Sequence, residues 1–102
     1  MRVRFTRRAK RDISEIYDWL ADRNPLAARQ VEDFILKASL GLAEFPMMGV
    51  PTDLVQVRRL PLVRYPYTIF YRVDDTSGFV DILRVVHGSR IRQVGSVPGE
   101  SE

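Results

Sequence analysis

PYTIFYRVDDTSGFVDILRVVHGSR, residues 66–90, decides the fold of this chain. Two apolar runs rich in β-branched and aromatic residues, about 66–72 and 79–86, flank DDTSG at 74–78. Such runs favour extended backbone, and a cluster of Asp, Ser and Gly favours reversal, so the stretch predicts an antiparallel β-hairpin. Upstream, LVQVRRL at about 54–60 predicts another strand. At the N-terminus MRVRF alternates Val3 and Phe5 with Arg2 and Arg4, the two-residue period of a half-buried strand.

Between these strands the period changes. Ala9, Ile13, Ile16, Tyr17 and Leu20 recur at helical spacing behind a capping Thr6, which predicts a helix over about 7–22. Asn24 is a good cap, and Pro25 fits a first helical position because its missing N–H would be unpaired there anyway. A second helix to about Glu44 follows, and so short a connection makes the pair an antiparallel hairpin. At 100° per residue its core face is Ala28, Val31, Phe34, Ile35, Ala38 and Leu42. Leu36, Leu40 and Ala43 form a second stripe, which is either buried by the domain itself or presented to a partner helix or a dimer mate. EFPMMGVPTD is the turn-rich exit. The fold class is therefore α+β: an N-terminal strand, an antiparallel helical hairpin, then three antiparallel strands in one small sheet packed on the helices. Residues 1–95 make one domain, and the tail at 96–102 has little to anchor it and is expected to be mobile.

The 102 residues carry no cysteine and one histidine, which argues against disulfides and against zinc, and no metal or other cofactor is expected. Without a secretory pattern or a membrane-length apolar run, a soluble cytoplasmic protein with no membrane partner is expected. The formal net charge of +3 hides a segregation. Residues 1–11 hold Arg2, Arg4, Arg7, Arg8, Lys10 and Arg11 and no acid, residues 12–53 are mostly acidic, and residues 54–95 are basic again. If the basic segments meet in the fold, one side suits a polyanion or an acidic protein, unless arginine simply serves as the solubilising cation.

No phosphate-cradling glycine loop, HExxH or serine elbow is present. Asp12, Glu15, Asp18 and Asp22 on the first helix read as a solvated face. The strands hold Arg58, Arg59, Arg64, Arg72, Arg84, His87 and Arg90, interleaved with Tyr65, Tyr67 and Tyr71. Guanidinium forks bind phosphates and aromatic rings stack on bases, so this set suits RNA or a nucleic-acid enzyme; equally, it suits a solvated sheet face. Alternation from Ile82 puts Arg84 on its face, and His87 on the face of Leu83 and Val85.

Four motifs in order, AxRDIxEIYDWLADRNPxAA, LxxFPxxG, RRLPLxRYPYTIFYRV and VDILRVVHGSR, resemble the RelE/ParE superfamily of bacterial toxins across nearly the whole chain. The resemblance implies a type II toxin neutralised by a cognate antitoxin, a small protein with a DNA-binding N-terminal part. RelE-like members cut messenger RNA on the ribosome using an arginine before an apolar triplet; here the triplet is Ile69-Phe70-Tyr71 and that position is Thr68. No tyrosine follows Tyr71. In the ribonuclease alternative His87, with Arg84 and Arg90, would carry catalysis. FPxxG and the closing HGSR bring the chain nearer to ParE-like members, known as inhibitors of DNA gyrase, although Val50 stands where many have an arginine. For that branch the expected target-binding residues are Arg58, Arg59, Arg72, Tyr71, Arg84, His87 and Arg90. A remnant that only binds antitoxin is a third reading.

Overall fold

The computed structural model describes residues 1–90. The part of the expected domain beyond Arg90, and the tail at 96–102, lie outside the described residues. Strand β1 (Arg2–Phe5) leads into helix α1 (Arg7–Ala21) and helix α2 (Pro25–Gly41). Strands β2 (Val50–Pro51), β3 (Val57–Pro61), β4 (Tyr67–Asp74) and β5 (Phe79–His87) follow, and a 3-10 turn spans Gly88–Arg90.

One five-stranded sheet has the order β1-β5-β4-β3-β2. β2 to β5 form an antiparallel meander, while β1 pairs parallel to β5 in the register Arg2↔Phe79 to Phe5↔Ile82. A parallel neighbour needs a crossover, and the helical hairpin provides it. Thr6 fixes the corner: its Oγ1 accepts the Ala9 N–H as the α1 cap and donates to the Ile82 carbonyl at 2.8 Å. Asn24 caps α2 through the Ala27 N–H at 3.2 Å, with Pro25 at the first helical position.

The expected elements are present with shifted ends. α2 stops at Gly41, where glycine weakens the helix and the next residues close tighter bonds, Ala43 N–H to Leu40 O and Glu44 N–H to Gly41 O. β3 begins at Val57, not near Leu54, because Gln56 takes φ 70° and turns the chain just before it. Within the turn-rich exit, Val50–Pro51 forms an unanticipated two-residue strand on β3. In the predicted DDTSG turn, Gly78 takes φ 78° and the Asp74 carboxylate accepts the Thr76 and Ser77 N–H groups. The Ser77 side chain first, and then the Ser77 and Thr76 N–H groups, hold the Asp74 carboxyl below the usual carboxylate value.

The main core lies between the hairpin and the sheet. Ala9, Ile13, Val31, Ile35 and Leu42 pack on Ile69, Tyr71, Val73, Val80, Ile82 and Val85. Val57, Phe70, Leu83 and Val86 form a second cluster, so the central strands contribute apolar side chains to both faces. The predicted face of α2 is largely inward: Ala28, Val31, Ile35 and Leu42 are buried, Ala38 is half-buried against the core, and Phe34 meets Tyr65 edge to face at 5.3 Å.

Simple alternation fails in β5. Phe70 lies opposite Arg84 and Tyr71 opposite Ile82, so Leu83 is an extra residue in a bulge. Leu83 therefore packs with Val86 in the second cluster while Val85 joins Ile82 in the main core, which corrects the face assigned to Leu83 from sequence.

Candidate functional site

A groove of about 960 Å³ runs between α1 and the end of the sheet where β4 begins and β5 finishes. Ile16, Leu20 and Val31 from the helices, with Tyr65 and Tyr67, give it an apolar and aromatic floor, and Trp19, 57% exposed, stands at its margin. Arg8, Arg84, His87 and Arg90 bring its basic groups. The tertiary fold thus gathers three of the expected site residues, Arg84, His87 and Arg90, at one place.

His87 ends β5 and is half-buried. Its ring meets Tyr67 edge to face at 5.4 Å. The Ser89 N–H donates to Nδ1 at 3.1 Å, with the Ser89 hydroxyl 2.8 Å from the same atom. That backbone donor makes Nδ1 an acceptor and assigns the proton of the neutral ring to Nε2. Gly88 N–H holds the turn by donating to Pro66 O at 2.7 Å. Burial pushes the Tyr67 phenol above its usual value, so it stays a neutral hydrogen-bonding group.

Arg84 is committed inward. Its Nε and Nη2 donate to the Asp12 carboxylate at 2.8 and 3.3 Å, and Val85 N–H donates to the same carboxylate at 2.9 Å. Arg8 Nε lies 3.5 Å from Asp12 Oδ1. The end of β1 explains the Val85 bond: pairing with β1 stops at Phe5↔Ile82, so beyond it that edge of β5 carries a backbone donor for a side chain to satisfy. Asp12 is 6% exposed, which corrects its assignment to a solvated acidic face. The available signal was its place beside Ile13 and three residues after Ala9, within the apolar arc of α1.

Arg58, Arg59, Tyr71 and Arg72 do not line this groove. Tyr71 is fully buried, so no target reaches it in this conformation. Its hydroxyl accepts Gly49 N–H and donates to Pro46 O, both at 2.8 Å. Arg58 Nη1 donates to Gly49 O at 2.7 Å, with Met47 O at 3.4 Å. Together they latch the loop that follows α2, and FPxxG gains a physical meaning. A Cβ on Gly49 would fall 2.7 Å from both Arg59 O and the Tyr71 hydroxyl, so only glycine lets loop, strand and phenol meet. The latch spends backbone groups and leaves Phe45, Met47, Met48 and Val50 at least half exposed. Arg59 is exposed on β3, opposite Val50, and Arg72 is half-buried on β4. Thr68 is buried on β4 between Pro61 and Val86, where no cation is available.

The second stripe of α2 divides. Leu36 is half-buried and packs on the main core, Ala43 is half-buried, and Leu40 is 57% exposed. Among the described residues, no group of three or more His, Cys, Asp or Glu side chains could hold a metal ion, and no helix is long and apolar enough to cross a membrane.

Comparison with known proteins places this geometry among relatives. The family model described as the ParE toxin of the type II toxin-antitoxin system parDE matches residues 3–92. Y4kP of Sinorhizobium fredii is 40% identical over 86 residues, covering 84% of this chain and 86% of the relative. Toxin RelE2 of Caulobacter vibrioides is 36% identical over 89 residues, covering 87% and 97%. Among solved structures, the chromosomal ParDE toxin-antitoxin system of P. aeruginosa superposes with a TM-score of 0.74 at 28% identity, covering 85% of this chain and 95% of that one. The toxin-antitoxin complex RelBE2 of Mycobacterium tuberculosis gives 0.60 at 27% identity, covering 84% and 95%.

Proposed function

Because the chain belongs to the ParE toxin family of type II toxin-antitoxin systems, we propose that it arrests growth by binding, with DNA gyrase as its target, and that a cognate antitoxin neutralises it. The antitoxin is the small partner with a DNA-binding N-terminal part; the solved relatives, a ParDE system and a RelBE2 complex, support the presence of an antitoxin partner. The groove and its basic end, with exposed Arg90 and half-buried His87, form the contact surface, and Arg59 adds an exposed cation on β3.

One observation carries binding over catalysis: Arg84, one of the two cations expected to clamp a phosphate, is already engaged. Arg84 forks onto Asp12, Arg58 donates to loop carbonyls, and the position before the Ile69-Phe70-Tyr71 triplet is a buried threonine. RNA cleavage by 2′-hydroxyl attack needs developing negative charge stabilised by donors aimed at it. Among the described residues at this end of the groove, exposed Arg90 beside one imidazole is a poor set for that work.

The ribosome-dependent ribonuclease remains the second reading because His87, Tyr67 and Arg90 share one end of the groove. Expression without antitoxin decides between them. Growth arrest with relaxed plasmid DNA and intact transcripts supports gyrase binding. New cuts within messenger RNA codons sink it in favour of the ribonuclease, and normal growth identifies a remnant that only binds antitoxin.

A further inference from the structure

Among the described residues Asp12 is the one carboxylate buried in the groove wall, and its geometry goes beyond a simple ion pair. Oδ2 takes Arg84 Nε and Val85 N–H, while Oδ1 faces Arg84 Nη2 and Arg8 Nε. The Arg84 side chain is left 14% exposed. A guanidinium meets a phosphate with the same two-pronged edge that Arg84 here gives to Asp12. Around it stand Trp19, Tyr65, Tyr67 and His87, rings of the type on which unpaired bases stack, together with Arg90. Stacking rings and a forked cation, two parts of a single-strand-binding platform, are therefore present, and the cation is held away by a neighbouring acid.

We infer that Asp12 determines the specificity of the groove as a positioning residue: by engaging the Arg84 fork it withholds that cation from a phosphate and sets the groove against single-stranded nucleic acid. This rests on the reading of the chain as a toxin that acts by binding. Asparagine at position 12 keeps an acceptor for Val85 N–H but leaves Arg84 and Arg8 without a compensating charge. The fork is then free for a phosphate, and affinity and salt dependence change together because each phosphate contact releases counterions.

The test uses the full chain and a 12-nucleotide oligouridylate. Asp12→Asn is expected to tighten binding about fivefold at 0.1 M salt and to steepen the logarithmic salt slope by about 0.7, the value for one added contact on a single strand. Adding Arg84→Gln to that variant is expected to return the affinity to that of the wild type. A folded Asp12→Asn chain that binds no tighter than wild type, or a gain that survives Arg84→Gln, overturns the inference. Should Asp12→Asn not fold, wild-type protein labelled with 15N-arginine gives the answer: the Arg84 Nε–H resonance stays in place as oligouridylate is added, and a shift of that resonance refutes the inference. Cleavage of the oligonucleotide by wild-type protein would instead break the binding reading, and the two failures are distinguishable.

Discussion

Tyr71 occupies the interior with its hydroxyl shared between Gly49 N–H and Pro46 O, and removing that oxygen leaves two backbone groups without a partner. Tyr71→Phe is expected to destabilise the chain by about 1–3 kcal/mol, measured by urea unfolding. Burial raises the Tyr71 phenol above its ordinary value of 10.0, while the Gly49 bond and the Arg58 charge pull the other way. A raised value in the folded state means that the contribution of the neutral phenol is complete below the ordinary value. It fades as pH rises through the folded one. As pH rises from the ordinary value through the folded one, wild-type thermal stability should fall by more than that of Tyr71→Phe, and equal losses would contradict the latch. Gly49→Ala tests the same contact from the loop side: a Cβ at 2.7 Å from a β3 carbonyl forces backbone to move, so a loss of about 1–3 kcal/mol is expected in the same assay. Asp12→Ala strands a largely buried Arg84 charge and the Val85 N–H, and a loss of about 3–5 kcal/mol is expected, a large share of the stability of a small domain.

Among the elements, α2 shows why a periodic pattern alone cannot separate core from contact surface. Leu36 and Leu40 lie one turn apart on the same stripe, yet Leu36 packs on the core and Leu40 projects 57% exposed. Leu40→Glu should leave the monomer folded by circular dichroism and, if the stripe meets the antitoxin or a second copy, weaken the complex in size-exclusion chromatography. Leu36→Glu should lower the unfolding midpoint instead, because it buries part of a charge against apolar side chains. The caps of both helices and the β4–β5 turn were legible in the sequence because each is set by residues within a few positions of one another, as with Thr6 and Ala9, Asn24 and Ala27, or Asp74 and Gly78. The bulge at Leu83 was not. Nothing local marks it, and it follows from how Phe70 and Tyr71 on the neighbouring strand align.

Across the molecule, the segregated charges of the sequence are only partly joined by the fold. Arg8 from the basic N-terminal segment and Arg84 from the basic C-terminal segment do meet, but around a shared acid, so their proximity does not create an open cationic face. The more exposed cation at the groove is Arg90, with His87 beside it. His87→Ala gives the whole-molecule test. Growth arrest on induction should persist if the protein acts by binding, since one ring is a single contact among several. It should be lost if the ring is an acid or base, for which about 10²–10⁴-fold in rate is expected.

The sequence by itself determined the two helices and their caps, the β4–β5 hairpin, the α+β class and the family, because these depend on short-range periodicity, turn chemistry and ordered motifs. Tertiary structure alone decided the parallel pairing of β1 with β5, the latch between Gly49 and Tyr71, and the capture of Arg84 by Asp12, 72 positions away in the chain. Each of these brings together groups whose separation along the chain carries no periodic signal. Which arginine is free to meet a partner and which is held within the fold is decided by that packing.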